Sequence, residues 1–339
     1  MVNGIKENII IVGDALKITE RIADGYIDSC ITSPPYFGLR DYEAEGQIGQ
    51  EESVDEYIEK LVLIFREVKR ALRPDGTLWV NIGDSYAGSG KGRMANGSHS
   101  KDNSKSSNYQ NIANKTIFKS GYSGCKPKDL MGVPWLLALA LRNDGWYLRQ
   151  DIIWEKPNAM PESVKDRCTR SHEYIFMFSK SRNYYYDAEA IKEPCVNGDP
   201  RSPRGSRGTL AKNAGLRKQD AIGKSAYTGF NERYSATEKR NSRNKRDVWT
   251  VSTKGFKGAH FATFPEELIA PCVLASCRKG GIIYDPFFGS GTTGKVAKDN
   301  GRYFIGAEIN ANYAKIAAER TKTESITAET KELEKRVEK

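Results

Sequence analysis

Short apolar runs alternate with amphipathic stretches through the first quarter of the chain. Residues 8–12 and 26–31 are runs of apolar or β-compatible residues, which are typical of buried strands. Between residues 54 and 72 apolar positions recur at helical spacing, which predicts an amphipathic helix. Residues 73–76 are Arg-Pro-Asp-Gly, a helix stop signal, and residues 77–82 predict the next strand. This β-α-β succession predicts a parallel, doubly wound sheet.

The remainder of the chain repeats this pattern with more polar residues between the elements. Further strands are predicted at residues 146–154, 172–179, 281–284 and 303–306, and further helices at 134–142, 266–278, after 294 and from 312. From residue 321 the sequence is charged with few apolar residues, which predicts a solvated tail or a weak coiled-coil segment. Length permits one large domain or two, and one catalytic domain with an insertion fits this succession best.

Positive charge is concentrated in two segments. The 339-residue chain has a net charge of +10, whereas residues 201–257 carry +11 and residues 86–128 carry +7, so the rest is acidic. A surface that binds a polyanion would have this distribution, and a solvated face or a disordered tail is the alternative. We predict a catalytic domain in two parts, residues 1–190 and 255–339, with a basic insertion at 191–254. Residues 86–128 predict either a flexible loop that orders on a bound polyanion or a disordered linker.

Composition indicates a cytoplasmic protein without a metal site. We find no apolar run of about 18 residues that would predict a membrane span, and no signal-peptide pattern. Six cysteines occur without a Cys-x-x-Cys pair, and three histidines lie far apart in the sequence. Neither a disulfide framework nor a zinc site is therefore predicted.

A proline-stiffened turn follows the second predicted strand. It comprises Thr32, Ser33, Pro34, Pro35 and Tyr36. The two prolines restrict the backbone and hold the carbonyl groups before them outward, at the strand end where α/β sheets bind ligands. A hydroxyl, carbonyl oxygens and an aromatic ring together suit a flat base that carries an exocyclic amine. A structural Pro-Pro turn capped by a partly buried tyrosine is the alternative.

A second motif, Asp-Pro-Phe-Phe-Gly-Ser-Gly-Thr-Thr-Gly, occupies residues 285–294 between a predicted strand and a predicted helix. Its glycines permit close approach of a ligand to the backbone, and the helix offers its amide groups. Glu308 ends the next strand, where an acidic residue is placed to bind ribose hydroxyls. The candidate cofactor-binding residues of the motif are Asp285, Phe287, Gly289, Ser290, Gly291 and Thr292.

The same glycines partly match a P-loop, which would indicate a nucleoside triphosphatase. Val296 stands where the P-loop carries its magnesium-binding hydroxyl, and Asp285 would bring a negative charge towards the phosphates. We therefore reject this alternative.

The two motifs together resemble those of the SAM-dependent amino-methyltransferases of DNA, in the permuted order that places Ser-Pro-Pro-Tyr before the glycine motif. The resemblance implies a Rossmann-like, doubly wound, mostly parallel sheet of about seven strands with one antiparallel strand. It implies S-adenosyl-L-methionine (SAM) as cofactor, double-stranded DNA as substrate, a possible cognate restriction endonuclease, and target recognition by residues 191–254. Asp14 would lie near the adenine of SAM, although capping of the helix that begins near Ala15 is the alternative.

In the same resemblance, Tyr36 stacks on a flipped base, and the Ser33 hydroxyl and the Pro34 carbonyl accept the two amine hydrogens. Ser-Pro-Pro-Tyr is commonest among cytosine-N4 enzymes, so we expect N4 of cytosine, with N6 of adenine as the alternative. A C5-cytosine mechanism would need a nucleophilic cysteine, and we interpret Cys195 and Cys272 as structural. A catalytically silent DNA-binding protein and a methyltransferase acting on RNA or a protein amide are the remaining hypotheses.

Overall fold

The computed structural model describes residues 8–38, 44, 46–87, 125–126, 128–195, 242–253 and 264–327. Most of the predicted basic loop at 86–128, and of the predicted insertion at 191–254, lies outside these residues.

Eleven strands and six helices are present in the described parts of the chain. The strands are β1 (Ile9–Val12), β2 (Ile27–Thr32), β3 (Leu72–Ile82), β4 (Tyr147–Glu155), β5 (His172–Ser179), β6 (Glu193–Pro194), β7 (Ser242–Arg243), β8 (Val248–Thr250), β9 (Ile282–Asp285), β10 (Tyr303–Glu308) and β11 (Ser325–Thr327). The helices are α1 (Ala15–Glu20), α2 (Val54–Ala71), α3 (Val133–Asn143), α4 (Glu266–Ser276), α5 (Thr292–Asp299) and α6 (Ala311–Thr321). None of the described helices is long and apolar enough to cross a membrane.

Nine of these strands form one sheet in the order β11-β1-β10-β9-β2-β3-β5-β4-β8. Within this sheet, as far as the structure describes it, only β5 runs antiparallel to both of its neighbours. The seven predicted strands are all present, which confirms the predicted mostly parallel α/β sheet. The two additional strands, β8 and β11, are edge strands of three residues, too short to produce a recognisable period.

The prediction of a solvated tail from residue 321 was wrong at its start. Helix α6 ends at Thr321, and Ser325–Thr327 then pairs in parallel with β1. Ile326 is buried between two exposed residues of this strand. One apolar residue among polar ones carries no periodic signal, but its burial at the sheet edge decides the local structure.

Helices cover both faces of the sheet. Helix α2 contacts both α1 and α3 in one layer, and α4 contacts α5, which contacts α6, in another. Along β3, Leu78 and Val80 belong to the same apolar cluster as Phe65 of α2, whereas Trp79 between them is buried but does not belong to it. Alternate residues of β3 are thus buried on opposite faces, which explains why the strands read as continuous apolar runs.

The chain divides into two compact units. The larger comprises Met1–Asp187 and Asp247–Lys339 and contains the nine-stranded sheet. The smaller comprises Ala188–Arg246, and within its described residues β6 and β7 pair antiparallel. Strand β8 pairs with β4 in the larger unit, although it lies within the residues predicted as the insertion. The assignment of residues 191–254 to target recognition stays a prediction.

Candidate active site

Four neighbouring parallel strands end at one edge of the sheet, and a predicted site residue ends or closely follows each of them. Strand β1 leads to Asp14, β2 leads to Ser33, β9 ends at Asp285 and β10 ends at Glu308. Because parallel neighbours present their carboxyl ends at the same edge, the two sequence motifs lie side by side there. We call this edge the carboxyl edge.

Asp285 connects the two motifs. One carboxylate oxygen accepts a hydrogen bond from the Thr32 hydroxyl at 2.5 Å and another from the Phe287 amide at 3.0 Å. Its second oxygen accepts a hydrogen bond from the Thr293 hydroxyl at 2.7 Å. The Phe287 ring lies edge to face against Phe65, with 6.5 Å between ring centroids. Asp285 therefore fixes the end of β2, the start of the glycine loop and the first turn of α5 together.

Both buried carboxylates of this edge have raised pKa values. Burial raises the pKa of Asp285 to about 6, although its three hydrogen bonds act in the opposite direction. Burial also raises the pKa of Glu308 to about 7, and the negative charge of Asp285 adds to this rise. Glu308 accepts hydrogen bonds from the Gly289 amide at 2.7 Å and the Asn310 amide at 2.8 Å. Two adjacent acids that are costly to ionise fit a ligand that carries positive charge and hydroxyl groups.

The glycine loop approaches helix α6 very closely. Gly289 and Gly291 have left-handed backbone angles, with φ of 52° and 80°, which favour glycine. A side chain at Gly291 would also place its Cβ 2.9 Å from the Cβ of Ala317 on α6. The loop can therefore take this course only with a glycine at position 291.

Two further glycines make room for Phe288. A Cβ at Gly306 of β10 would lie 2.4 Å from a Phe288 ring carbon, and one at Gly294 of α5 would lie 2.5 Å from another ring carbon. The ring is buried between the strand and the helix and stacks on Phe304. Phe288 thereby sets the distance between α5 and the sheet, and with it the position of the glycine loop that precedes α5.

Ser290 and Thr292 are held by an arginine on α6. Arg320 donates hydrogen bonds to the Ser290 hydroxyl at 2.8 Å, the Ser290 carbonyl at 2.9 Å and the Thr292 hydroxyl at 3.1 Å. Arg320 also forms an ion pair with Glu266. In the structure both hydroxyl groups therefore stabilise the loop itself, and their predicted contact with the cofactor stays a prediction.

Asp14 caps helix α1. Its side chain accepts a hydrogen bond from the Lys17 amide at 3.0 Å, which is the arrangement of an N-cap. The structural alternative considered from the sequence is thus present. Because Asp14 is only partly buried and lies at the carboxyl edge, its predicted place near the adenine of SAM stays a prediction.

The Ser-Pro-Pro-Tyr turn is tied to the protein at both of its ends. Thr32 before it binds Asp285, and the Pro35 carbonyl accepts a hydrogen bond from the Tyr57 hydroxyl of α2 at 2.8 Å. Pro34 is buried, whereas Ser33 and Tyr36 are partly exposed. The turn therefore presents these two side chains from a rigid base.

Sequence reasoning missed the residues that surround Tyr36. Its hydroxyl donates a hydrogen bond to Glu173 at 2.7 Å and lies 3.3 Å from the side-chain oxygen of Asn81. A Cβ at Gly83 would lie 2.7 Å from the Tyr36 ring. Burial, and then the charge of Glu173, raises the pKa of Tyr36 well above its ordinary value, so the phenol stays neutral. Glu173 reaches the carboxyl edge because β5 is antiparallel and begins there, which no local sequence pattern indicates.

The described residues contain no cluster of acidic, cysteine or histidine side chains that could hold a metal ion. Cys272 lies buried within helix α4, where its thiol contacts the Leu268 carbonyl. This confirms that Cys272 lies on a buried helix. The structure thus offers this thiol no place in a nucleophilic mechanism.

Comparison with known proteins agrees with this geometry. A family model described as DNA methylase matches residues 27–319. The type II methyltransferase M.Cfr9I of Citrobacter freundii is 46% identical over 312 residues, which cover 92% of this chain and 87% of that protein. M.XycI of Xanthomonas campestris pv. cyanopsidis is 44% identical over 93% of this chain and 88% of its own length. M.SmaI of Serratia marcescens is 45% identical over 92% of this chain and 89% of its own length.

Solved structures share the fold. The PvuII DNA methyltransferase, described as cytosine-N4-specific, superposes with a TM-score of 0.58 at 18% identity over 98% of this chain and 92% of its own. The DNA modification methylase TTHA0409 of Thermus thermophilus, solved with SAM, superposes with a TM-score of 0.55 at 21% identity. The match covers 95% of this chain and 99% of that chain. The chain therefore belongs to the N6/N4 family of DNA methylases, and S-adenosyl-L-methionine is its cofactor.

Proposed function

We propose that this DNA methyltransferase transfers the methyl group of SAM to the exocyclic N4 of cytosine in duplex DNA. The observation that carries the proposal is the pairing of Ser33 and Tyr36 at the carboxyl edge. Both side chains are partly exposed on one turn that Thr32 and Pro35 tie to the protein, so a hydroxyl and an aromatic ring stand together at this strand end. A serine before Pro-Pro-Tyr favours cytosine, since this form of the motif resembles that of the cytosine-N4 enzymes.

The exocyclic amine of a paired cytosine is buried in the base stack, so the base must first leave the duplex, at a cost of a few kcal/mol. The Tyr36 ring then stacks on the flipped base. The Ser33 hydroxyl and the Pro34 carbonyl accept the two amine hydrogens. Accepting both hydrogens turns the nitrogen lone pair out of conjugation with the ring and towards the methyl group, so the new N–C bond would form as the S–C bond to the methyl group breaks, and one amine hydrogen would leave as a proton. The turn that carries these groups is already rigid, so little ordering is needed at the moment of reaction.

The cofactor belongs beside this turn, at the ends of β1, β9 and β10. SAM supplies an electrophilic methyl group on a positively charged sulfur. Asp285 and Glu308 supply buried carboxylates whose ionisation a cationic ligand would favour, and Glu308 and Asp14 stand where hydroxyl and amine groups of a nucleoside could bind. The glycine loop, with Gly289 and Gly291, would follow the ligand with its backbone.

Two basic segments, residues 86–128 and 191–254, are proposed to bind the DNA and read its sequence. Their charge suits the phosphate backbone, and arginine, lysine and asparagine can read base edges in the major groove. The relatives named above are type II methyltransferases, so we also propose a cognate restriction endonuclease and a cytoplasmic location.

Sequencing of DNA from cells that express the protein, with modification-sensitive reads, tests this function. We expect modified cytosines at one recurring sequence, and none in cells that express the Tyr36→Ala variant. Modified adenines instead of cytosines would assign the enzyme to adenine N6, and unmodified DNA in both cultures would contradict DNA methylation by this protein.

A further inference from the structure

A largely buried ion pair, Glu173–Lys156, holds the hydroxyl end of Tyr36. Glu173 accepts the hydrogen bond of the Tyr36 phenol with one carboxylate oxygen, at 2.7 Å. Its other oxygen binds the ammonium group of Lys156. The Asn81 amide donates hydrogen bonds to the first oxygen at 3.3 Å and to the Tyr174 carbonyl at 3.1 Å. Three hydrogen bonds from different directions therefore fix the orientation of the carboxylate.

Lys156 is itself fixed from a second direction. Its ammonium group lies 4.2 Å from the centroid of the Trp154 ring, and Trp154 is buried and donates its indole hydrogen to the Val251 carbonyl at 2.8 Å. Only 18% of the Lys156 side chain and 15% of the Glu173 side chain are exposed. The ion pair thus connects Tyr36 of the active-site turn to the ends of β4 and β8.

Stability alone gives a weak reason for this arrangement. Removing two charges from water is costly, and well-packed apolar residues in place of a buried ion pair are often neutral or stabilising. An ion pair whose acid also binds an active-site phenol has a different use, because it fixes the orientation of that phenol. Gly83 also helps to position the ring, since the absence of a side chain there lets the Tyr36 ring lie against the backbone.

We propose that Glu173, held by Lys156, is a positioning residue that orients the Tyr36 ring for stacking on the flipped base. The inference rests on the proposed base-stacking role of Tyr36 and extends it to two residues that would not touch the substrate. Loss of the carboxylate leaves the ring free to rotate, so fewer bound bases reach the reactive geometry. The binding of SAM does not depend on this ring and is retained.

A double-mutant cycle between Tyr36→Phe and Glu173→Leu tests the proposal. Methyl transfer from tritiated SAM to unmethylated plasmid DNA gives kcat and KM, and calorimetry gives the Kd for SAM. Each single variant should lower kcat about tenfold, because a hydrogen bond to a charged group is lost, with the Kd for SAM changed less than about twofold. The double variant should also lose about tenfold, since both changes remove one interaction.

Conservative and distant variants separate positioning from general structural support. Glu173→Gln can still accept the phenol hydrogen but loses the ion pair with Lys156, so its kcat should lie between those of the wild type and Glu173→Leu. Glu67→Gln removes a partly buried carboxylate that pairs with Arg70 near the end of α2, and should leave kcat unchanged. If Glu173→Leu does not fold, Lys156→Met takes its place in the cycle with Tyr36→Phe.

Independent effects, with about a hundredfold loss in the double variant, would overturn the inference, as would wild-type kcat in Glu173→Leu. Equal loss of SAM affinity and kcat would also overturn it, because it would indicate a disturbed fold. These outcomes are distinct from failure of the proposed function, in which wild-type protein would transfer no methyl group to DNA.

Discussion

The hydroxyl of Thr32 donates a hydrogen bond of 2.5 Å to the carboxylate of Asp285, although the two residues are 253 positions apart in the chain. Thr32 is the last residue of β2 and directly precedes Ser33, and Asp285 is the last residue of β9. This bond joins the turn that would hold the base to the loop that would hold the cofactor. The distance between the two substrates is therefore set partly by one buried side-chain contact.

Replacement of Thr32 by valine should destabilise the protein and weaken SAM binding. The change keeps the shape but removes one hydrogen-bond donor from a buried carboxylate, which typically costs about 1–3 kcal/mol. The cost should be larger at pH 8 than at pH 5, because Asp285, with a pKa of about 6, is charged only at the higher pH. Urea unfolding at both pH values measures it. Thr32→Ser retains the hydroxyl and should behave like the wild type; an equal loss in both variants would implicate packing instead.

The affinity for SAM should rise between pH 5 and pH 8. The folded pKa values of Asp285 and Glu308, about 6 and about 7, lie above their ordinary values of 3.8 and 4.5. Folding therefore favours the protonated acids, and their contribution to stability is lost as pH rises through 6 to 7. A cationic ligand binds more tightly to the charged acids. The affinity for SAM should therefore increase with pH while the contribution of the two acids to stability decreases. Calorimetry across this range should show the rise in the wild type, a smaller rise in Glu308→Gln, and none in Asp285→Asn/Glu308→Gln. A pH-dependent double variant would place the titrating group elsewhere.

Alanine at Gly83 should impair turnover without impairing SAM binding. The new Cβ would lie 2.7 Å from a Tyr36 ring carbon and displace the ring. Base stacking on an aromatic ring contributes about 1–3 kcal/mol, so we expect a loss of kcat between about fivefold and a hundredfold, as for Tyr36→Ala. Steady-state kinetics and calorimetry measure the two quantities. In the Tyr36→Ala background the Gly83 substitution should have no further effect; an additional loss would mean that Gly83 acts on another part of the site.

Removal of the basic insertion should abolish sequence-specific methylation and leave SAM binding intact. The cuts belong at residues 196 and 241, because Pro194 pairs with Ser242 and a short Asn-Gly turn can join β6 to β7. Longer removal to residue 254 would delete β8 from the main sheet. For the intact protein, DNA affinity should fall steeply with salt in proportion to the phosphates neutralised. Specific methylation by the shortened protein, or a flat salt response of the intact one, would contradict the proposed role.

The sequence could predict those parts of the fold that local patterns determine. Apolar runs located β1, β2 and β9, and the motif residues Ser33 and Asp285 could be assigned to one edge because they follow strands. Glu173 could not be predicted, since its place depends on the direction of β5 and on contacts with Lys156 across the sheet. Arg320 is a similar case: it lies on α6 and acts on Ser290, 30 residues earlier. Such partners are selected by tertiary packing, which leaves no period in the sequence.

Mass spectrometry of nucleosides is the most direct test of the central claim. Purified protein is incubated with unmethylated DNA and SAM that carries a deuterated methyl group, and the DNA is digested to nucleosides. We predict deuterated N4-methylcytosine, absent when the Tyr36→Ala variant replaces the wild type. Deuterated N6-methyladenine without N4-methylcytosine would contradict the choice of base, and DNA without any deuterated methyl group would contradict the account as a whole.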